Sequence, residues 1–323
     1  MIYIDDSIMQ KGCPATAGSK ILENFIAPFD ATVVSRLQGE FERVKLGEFG
    51  LSDPGELPGS PMLCNDVFGH VRRRAAEQGL CYIRPSYGTV SRFGLIPTAS
   101  SMDQIGIVCK DPAEGFSLLS TIAGYDEKDG LMFPEISYNY KSYNEPRSNV
   151  MLRITWSFTE EMQEIQSELR VPPWLINNLD ICSQVLQILG YAEISCNISR
   201  YDGIKFGYRT SNYKNLEELY TKTRTEALGL DAKLAAVLGS LILSKDYYER
   251  YYEKAMKIRR LVKNCIKFDK YDVIAIPIDN PLAVLAGLPS LSFSYKGNAV
   301  QLVADVKKEE NLLAAWRQYN HGI

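Results

Sequence analysis

Residues 83–106 read IRPSYGTVSRFGLIPTASSMDQIG. The run enters from a candidate strand at 80–83, turns at Pro85-Ser86-Tyr87-Gly88, and continues in a strand-like segment at 90–95. Just beyond it, Asp111 is placed to cap the free amides of a helix. Pro112 suits the first helical position, and Gly124 follows the last apolar residues. Extended chain, turn, extended chain and capped helix make a unit of mixed α/β character.

The same alternation continues outward. Residues 1–4 read as a strand ended by Asp5-Asp6, and 31–37 as a helix after the break at Pro28 and Asp30. Residues 46–61 carry four glycines and three prolines and read as loop. A polar linker or surface loop is expected over 125–150, a strand at 150–156 and a helix at 172–189. Helices follow at 216–228 and 233–267, the second broken near Ser244-Lys245-Asp246. A strand at 271–276, a hairpin of 291–295 and 299–303 around Lys296-Gly297-Asn298, and a helix at 309–319 complete the chain. The expected fold class is α/β: one layered domain over 1–323, with a mixed central sheet and helices on both faces.

Composition excludes several functions. The chain has 323 residues, is 46% apolar and 23% charged, and carries a net charge of −3. No basic footprint for direct nucleic-acid binding is present. The dense cluster Arg72-Arg73-Arg74 reads as a solvated helix face. Seven scattered cysteines form no CxxC pair, so a zinc knuckle is not expected and no cofactor is implied. Most of them read as small core residues in a reducing cytoplasm. The acidic start MIYIDDSIMQKG is unlike a signal peptide, and no apolar run is long enough to span a membrane. A cytoplasmic protein is expected.

The opening stretch, together with SKILENFIAPFDATVV (19–34), TIAGYDEKDG (121–130), SRYDGIKFGYRTSNYKNLEELYTKTRTEALG (199–229), DYYERYYEKAMKIRRLVK (246–263) and LAGLPSLSF (285–293), resembles the amidase signature family in order along most of the chain. Within that family it is most similar to the A subunit of the glutamyl-tRNA(Gln)/aspartyl-tRNA(Asn) amidotransferases. The resemblance implies an amidase-signature layered fold. It also implies Ser–Ser–Lys amide hydrolysis, in which a lysine of lowered pKa activates a serine through a bridging serine. Backbone amides of a glycine-rich turn would hold the oxyanion.

Placed on that pattern, this sequence departs at the chemistry. Asp5 falls on the lysine position and His70 on the nucleophile. Asp66 and Gly69 of the nucleophile loop keep their family identities, whereas Val67 and Phe68 replace the threonine and first glycine of the turn. The stretch with the bridging serine has no counterpart. Leu234 and Ala235 stand where two arginines are expected, one of them a ligand of the glutamine carboxylate. The segment before LAGLPSLSF is short, and the family's stretch before Asn197 and its N-terminal helical extension find no counterpart, so the resemblance implies a domain truncated by several deletions. Asp103, Gln104, Tyr201 and Asp202 keep the family pattern and serve either the site or the fold.

Two readings of His70 follow. It is a structural remnant, or it forms a rewired site with Asp5, a general-base dyad or a sparse metal site to which Asp66 would contribute. Short of chemistry, a close Asp5–His70 ion pair would raise the histidine pKa. The leading expectation is an inactive amidase-like protein kept for binding. Its expected partners are amidotransferase-like B and C subunits or a true A subunit. The alternatives are a working A-subunit-like component of tRNA-dependent transamidation, a hydrolase using Asp5 and His70, or a decaying gene product with exposed apolar surface. No metal site and no membrane contact are expected.

Overall fold

Strands whose side chains are all covered form the centre of the sheet. β3 (Met62–Asn65), β4 (Cys81–Arg84) and β5 (Ile105–Cys109) bury every residue, as strands sandwiched between two helical layers must. The computed structural model describes residues 1–37, 39–134, 154–155, 181–266, 268–269 and 272–321. Among these, β1 (Ile2–Asp5), β2 (Phe41–Val44), β6 (Ile154–Thr155), β7 (Val273–Pro277), β8 (Ser290–Tyr295) and β9 (Asn298–Ala304) complete a nine-stranded sheet. Its order is β2-β1-β3-β5-β4-β8-β9-β7-β6. β1 pairs parallel with β2 and β3, and β6 parallel with β7; the remaining pairs are antiparallel. The sheet is therefore mixed, as expected.

Helices cover both faces. On one side α1 (Thr32–Leu37), α3 (Pro112–Ile122) and α9 (Glu309–His321) bury Val33, Phe116, Leu119, Ile122, Leu312 and Leu313 against the strands. On the other, α4 (Ile181–Ile198), α7 (Lys254–Cys265) and α8 (Leu282–Ala286) contribute Val185, Leu189, Ile258, Val262, Leu282 and Leu285. α2 (His70–Glu77) joins β3 to β4, while α5 (Leu216–Ala227) and α6 (Leu230–Ile242) precede a π-helical turn at Tyr248–Glu253.

Local signals were accurate where they named a cap or a turn. Asp111 accepts the Ala113 amide at 2.9 Å, with Pro112 opening α3. The β8–β9 hairpin turns on Lys296 and Gly297, both at positive φ. The helix expected over 233–267 does break near 244–246. The strand expected at 90–95 does not form. Val90 and Leu95 make only isolated bridges to Ala123 and Ile8, and the segment is spent packing a loop. The expected linker beyond residue 134, the strand at 150–156 apart from Ile154–Thr155, and the helix at 172–189 before residue 181 lie outside the described residues.

Candidate functional site

Of the residues singled out in the sequence, Asp5 ends β1 and Asp66 follows β3, at the C-terminal ends of two parallel strands, where open α/β sheets place their sites. Asp5 closes β1. Its carboxylate accepts the Ser7 hydroxyl at 2.5 Å and the Ser7 amide at 3.3 Å. Burial, with the neighbouring Asp6 charge adding to it against the Ser7 bonds, pushes the Asp5 carboxyl up to about 7. Asp6 turns to the next loop and accepts the Thr16 amide at 3.2 Å, the Gly18 amide at 3.1 Å and the Thr16 hydroxyl.

The loop after β3 is built by Asp66. Its carboxylate accepts the amides of Val71 at 3.0 Å and Arg72 at 3.3 Å, satisfying the free N-terminal donors of α2. It also holds the Arg72 guanidinium at 3.2 Å, with both side chains 2% exposed. Arg72 in turn donates to the Ile278 carbonyl at 3.0 Å beyond β7. Gly69 sits at φ +89°, and a Cβ there would lie 2.7 Å from the Arg72 guanidinium carbon. Asp66 and Gly69 thus have a structural role that needs no substrate. The expectation that Arg72, Arg73 and Arg74 form a solvated face is corrected at Arg72, which is core. Arg73 and Arg74 do face solvent, paired with Asp279 at 2.6 Å and Asp53 at 2.7 Å.

The structure supplies no Asp5–His70 contact for the second of the two readings of His70. No hydrogen bond or ion pair joins the two side chains, and the charges acting on His70 are those of Asp66, Arg73, Asp53 and Arg72. Burial lowers its pKa, outweighing the upward pull of the Asp66 and Asp53 charges. Asp5 ends β1 and lines a small cavity with Phe49, Asn65 and Val67, whereas His70 opens α2 and is not among the residues that line it. Among the described residues no three His, Cys, Asp or Glu side chains come together as a metal cluster.

Aromatic rings fill what remains of the cleft. Phe68 points at α4, where a Cβ on Gly190 would lie 2.8 Å from its ring, and packs beside Tyr191 with ring centroids 6.2 Å apart. Phe49, the one bulky ring of the glycine-rich loop, is 2% exposed at φ +48° and stacks on Tyr201 at 5.9 Å. Together with Asp5, Ser7, Asn65, Val67 and Thr98 it encloses a cavity of about 10 Å³, room for one water.

The other family-pattern residues are placed as follows. Asp103 accepts Asn65 Nδ2 at 2.8 Å and the amides of Thr98 at 3.0 Å and Ala99 at 3.1 Å, and burial raises its pKa. Gln104 accepts the Gly88 amide at 3.3 Å. Both stitch the 85–104 loop to β3. Tyr201 is buried beneath Phe49, and Asp202 caps its own turn by accepting the Ile204 amide at 2.8 Å. On α6, Ala235 is buried and Leu234 exposed. Cys64 is fully buried beside Asp5, its thiol pushed well up by that burial, and Cys81 is pushed up to about 12.

Sequence reading missed Phe49, Asn65 and Arg84. Arg84 is 1% exposed and donates to the Met102 carbonyl at 2.6 Å beneath the site. The signals that could have found them were a lone aromatic in a loop of glycines and prolines, and a charged residue inside an apolar strand.

Comparison with known proteins agrees with this architecture. The chain is 32% identical to the A subunit of the glutamyl-tRNA(Gln) amidotransferase of Trichodesmium erythraeum, with 97% of this chain and 82% of the relative covered. That alignment runs over 399 positions, more than this chain's 323 residues, so stretches of the relative have no counterpart here. The corresponding A subunit from Lachnoclostridium phytofermentans is 33% identical over 85% of this chain and 66% of its own length. The crystal structure of the Thermotoga maritima A subunit shares the fold, with a TM-score of 0.61 at 24% identity, covering 97% of this chain and 81% of that one. The Amidase family model matches residues 62–303, from β3 into β9, and the chain belongs to that family.

Proposed function

We propose that this chain is a catalytically inactive amidase-fold protein, a homologue of the amidotransferase A subunit, kept as a binding, scaffold or regulatory component. The observation that carries the reading is the closed cleft. The space beside Asp5, lined by Phe49, Ser7, Asn65, Val67 and Thr98 among others, is about 10 Å³, too small for a glutamine side chain. Asp5, a carboxylate held by Ser7, stands where the family resemblance expects a lysine base, and His70 makes no hydrogen bond or ion pair with it. A serine nucleophile, its base and a substrate pocket are needed together for amide hydrolysis, and geometry decides before residue type does.

The Asp5/His70 hydrolase is the weaker reading for the same reason: an acid–base dyad requires hydrogen-bond reach. A binding role is supported by α6, where Leu230, Leu234 and Val237 stand 82%, 48% and 67% exposed at helical spacing. Amidotransferase-like subunits are the partners proposed, since the relatives bear the name of one subunit of such an enzyme. Buried free thiols fit a reducing, cytoplasmic setting, and among the described residues no helix is long and apolar enough to cross a membrane.

The test is ammonia release from glutamine and from asparagine by the purified chain, run beside the His70→Ala variant. No release above buffer is expected from either protein. Turnover by the unaltered chain that His70→Ala abolishes would overturn the proposal.

A further inference from the structure

A second cavity, of about 450 Å³, opens between α7 and the loops around Tyr87, Phe133 and Gly287, and shares no residue with the Asp5 cleft. One wall is a single face of α7: Met256, Arg259, Arg260 and Lys263 follow one another at helical spacing. The opposite wall is mostly apolar and aromatic, with Tyr87, Leu131, Phe133 and Val306.

The charges in this cavity do not cancel. Arg259 is committed to the wall, donating to the Leu285 carbonyl at 2.7 Å and to the Ser101 hydroxyl and carbonyl at 2.8 and 2.9 Å. Glu193, the nearest acid to Arg259, spends both oxygens on Ser101. Arg260 and Lys263 are exposed and make no ion pair among the described residues. Across the opening, the Lys307 ammonium sits 4.0 Å from the centroid of the Phe133 ring. The Lys307 backbone is fixed there by its amide, which donates to the Ser86 hydroxyl at 2.8 Å.

We propose that this cavity binds a small phosphate monoester carried on a flat, apolar body: an aryl or nucleoside phosphate. Arg260 and Lys263 stand one helical turn apart and can converge on one dianion, to which Arg presents paired donors and Lys a mobile point charge. Lys307, held over the ring of the lining residue Phe133, adds a third cation nearby. Phe133 and Tyr87, each with a cation over one ring face, join Leu131 and Val306 in an apolar wall for the flat body, and the volume falls within the range of small-molecule sites. This inference goes beyond the inactive-subunit reading and does not rest on it.

The experiment is calorimetric titration of the full chain at low salt with phenyl phosphate, adenosine monophosphate, inorganic phosphate and benzoate. The better of the two ring-bearing phosphates should bind at least about tenfold tighter than inorganic phosphate or benzoate. Which of the two leads decides between an aryl and a nucleoside body. Arg260→Glu with Lys263→Glu should weaken that binding by about tenfold or more while the thermal midpoint stays put. If the double reversal unfolds the chain, the milder Arg260→Gln carries the same test. Phe133→Ala should weaken the ring-bearing phosphate and leave inorganic phosphate unchanged. Absence of binding, equal binding of benzoate, or binding indifferent to these substitutions in a folded chain would overturn the proposal.

Discussion

The carboxylate of Asp66 and the guanidinium of Arg72 form an ion pair 3.2 Å apart with both side chains 2% exposed. The pair spans the first turn of α2 and ties it, through the Ile278 carbonyl, to the residue that follows β7. It gives the loop that carries His70 a stable shape without any substrate.

Arg72→Ala should therefore cost about 3–5 kcal/mol, because it strands a buried carboxylate and leaves the Ile278 carbonyl unpaired. Asp66→Ala should cost at least as much, since the Val71 and Arg72 amides lose their acceptor too. Urea unfolding of the two variants measures both. A loss for Arg72→Ala no larger than that of an exposed pair would refute the structural role.

Gly190→Ala tests the fit of Phe68 into α4. The added methyl would come within 2.8 Å of the ring, and overpacking of this kind costs about 1–3 kcal/mol. In a Phe68→Leu background the same substitution should cost measurably less, giving a coupling energy in a double-mutant cycle. Strict additivity would mean that the two side chains do not meet.

Asp5 makes stability depend on pH. Its carboxyl is at about 7 in the folded chain against an ordinary 3.8, so the folded state holds the proton more tightly than the unfolded state does. Its contribution is fully present below 3.8 and is lost as pH rises through the window from 3.8 to about 7. Asp5→Asn keeps an oxygen for the Ser7 hydroxyl and removes the charge. The variant should be about 1–3 kcal/mol more stable than the unaltered chain near pH 8, an advantage that vanishes toward pH 4. Thermal melts across that range decide; an advantage that does not change with pH would contradict the buried-carboxyl account.

Restoring residue types should not restore chemistry. Asp5→Lys combined with His70→Ser supplies the base and nucleophile that the family resemblance implies, but Phe49 still lines the small space beside residue 5. The double variant should release no ammonia from glutamine. Release above the unaltered chain would show that the closed cleft is not what prevents turnover.

The segments that could be read in advance are those governed by local geometry. Asp111-Pro112, the Lys296-Gly297 turn and the break at 244–246 sit where their backbone preferences put them. The strands β2, β3 and β5 went unread. β3 and β5 are covered on both faces and show no alternation, and β2 alternates too weakly to stand out. The error at 90–95 has the converse cause: β-branched and aromatic residues there pack a loop, since no neighbouring strand offers them a ladder.

By itself the sequence determined the family and the α/β class, because these depend on residue order and short-range backbone preference. Tertiary structure alone decided that Asp5 and His70 stay unpaired, that Arg72 is core, and that Phe49 closes the cleft. Each of those outcomes is a distance or a burial set by segments far apart in the chain: β1 against the 46–61 loop, α2 against the residues after β7, and Phe49 against Tyr201. Hydrophobic packing and buried charge act through space, so a residue's chemistry here is settled by which distant neighbours exclude water from it.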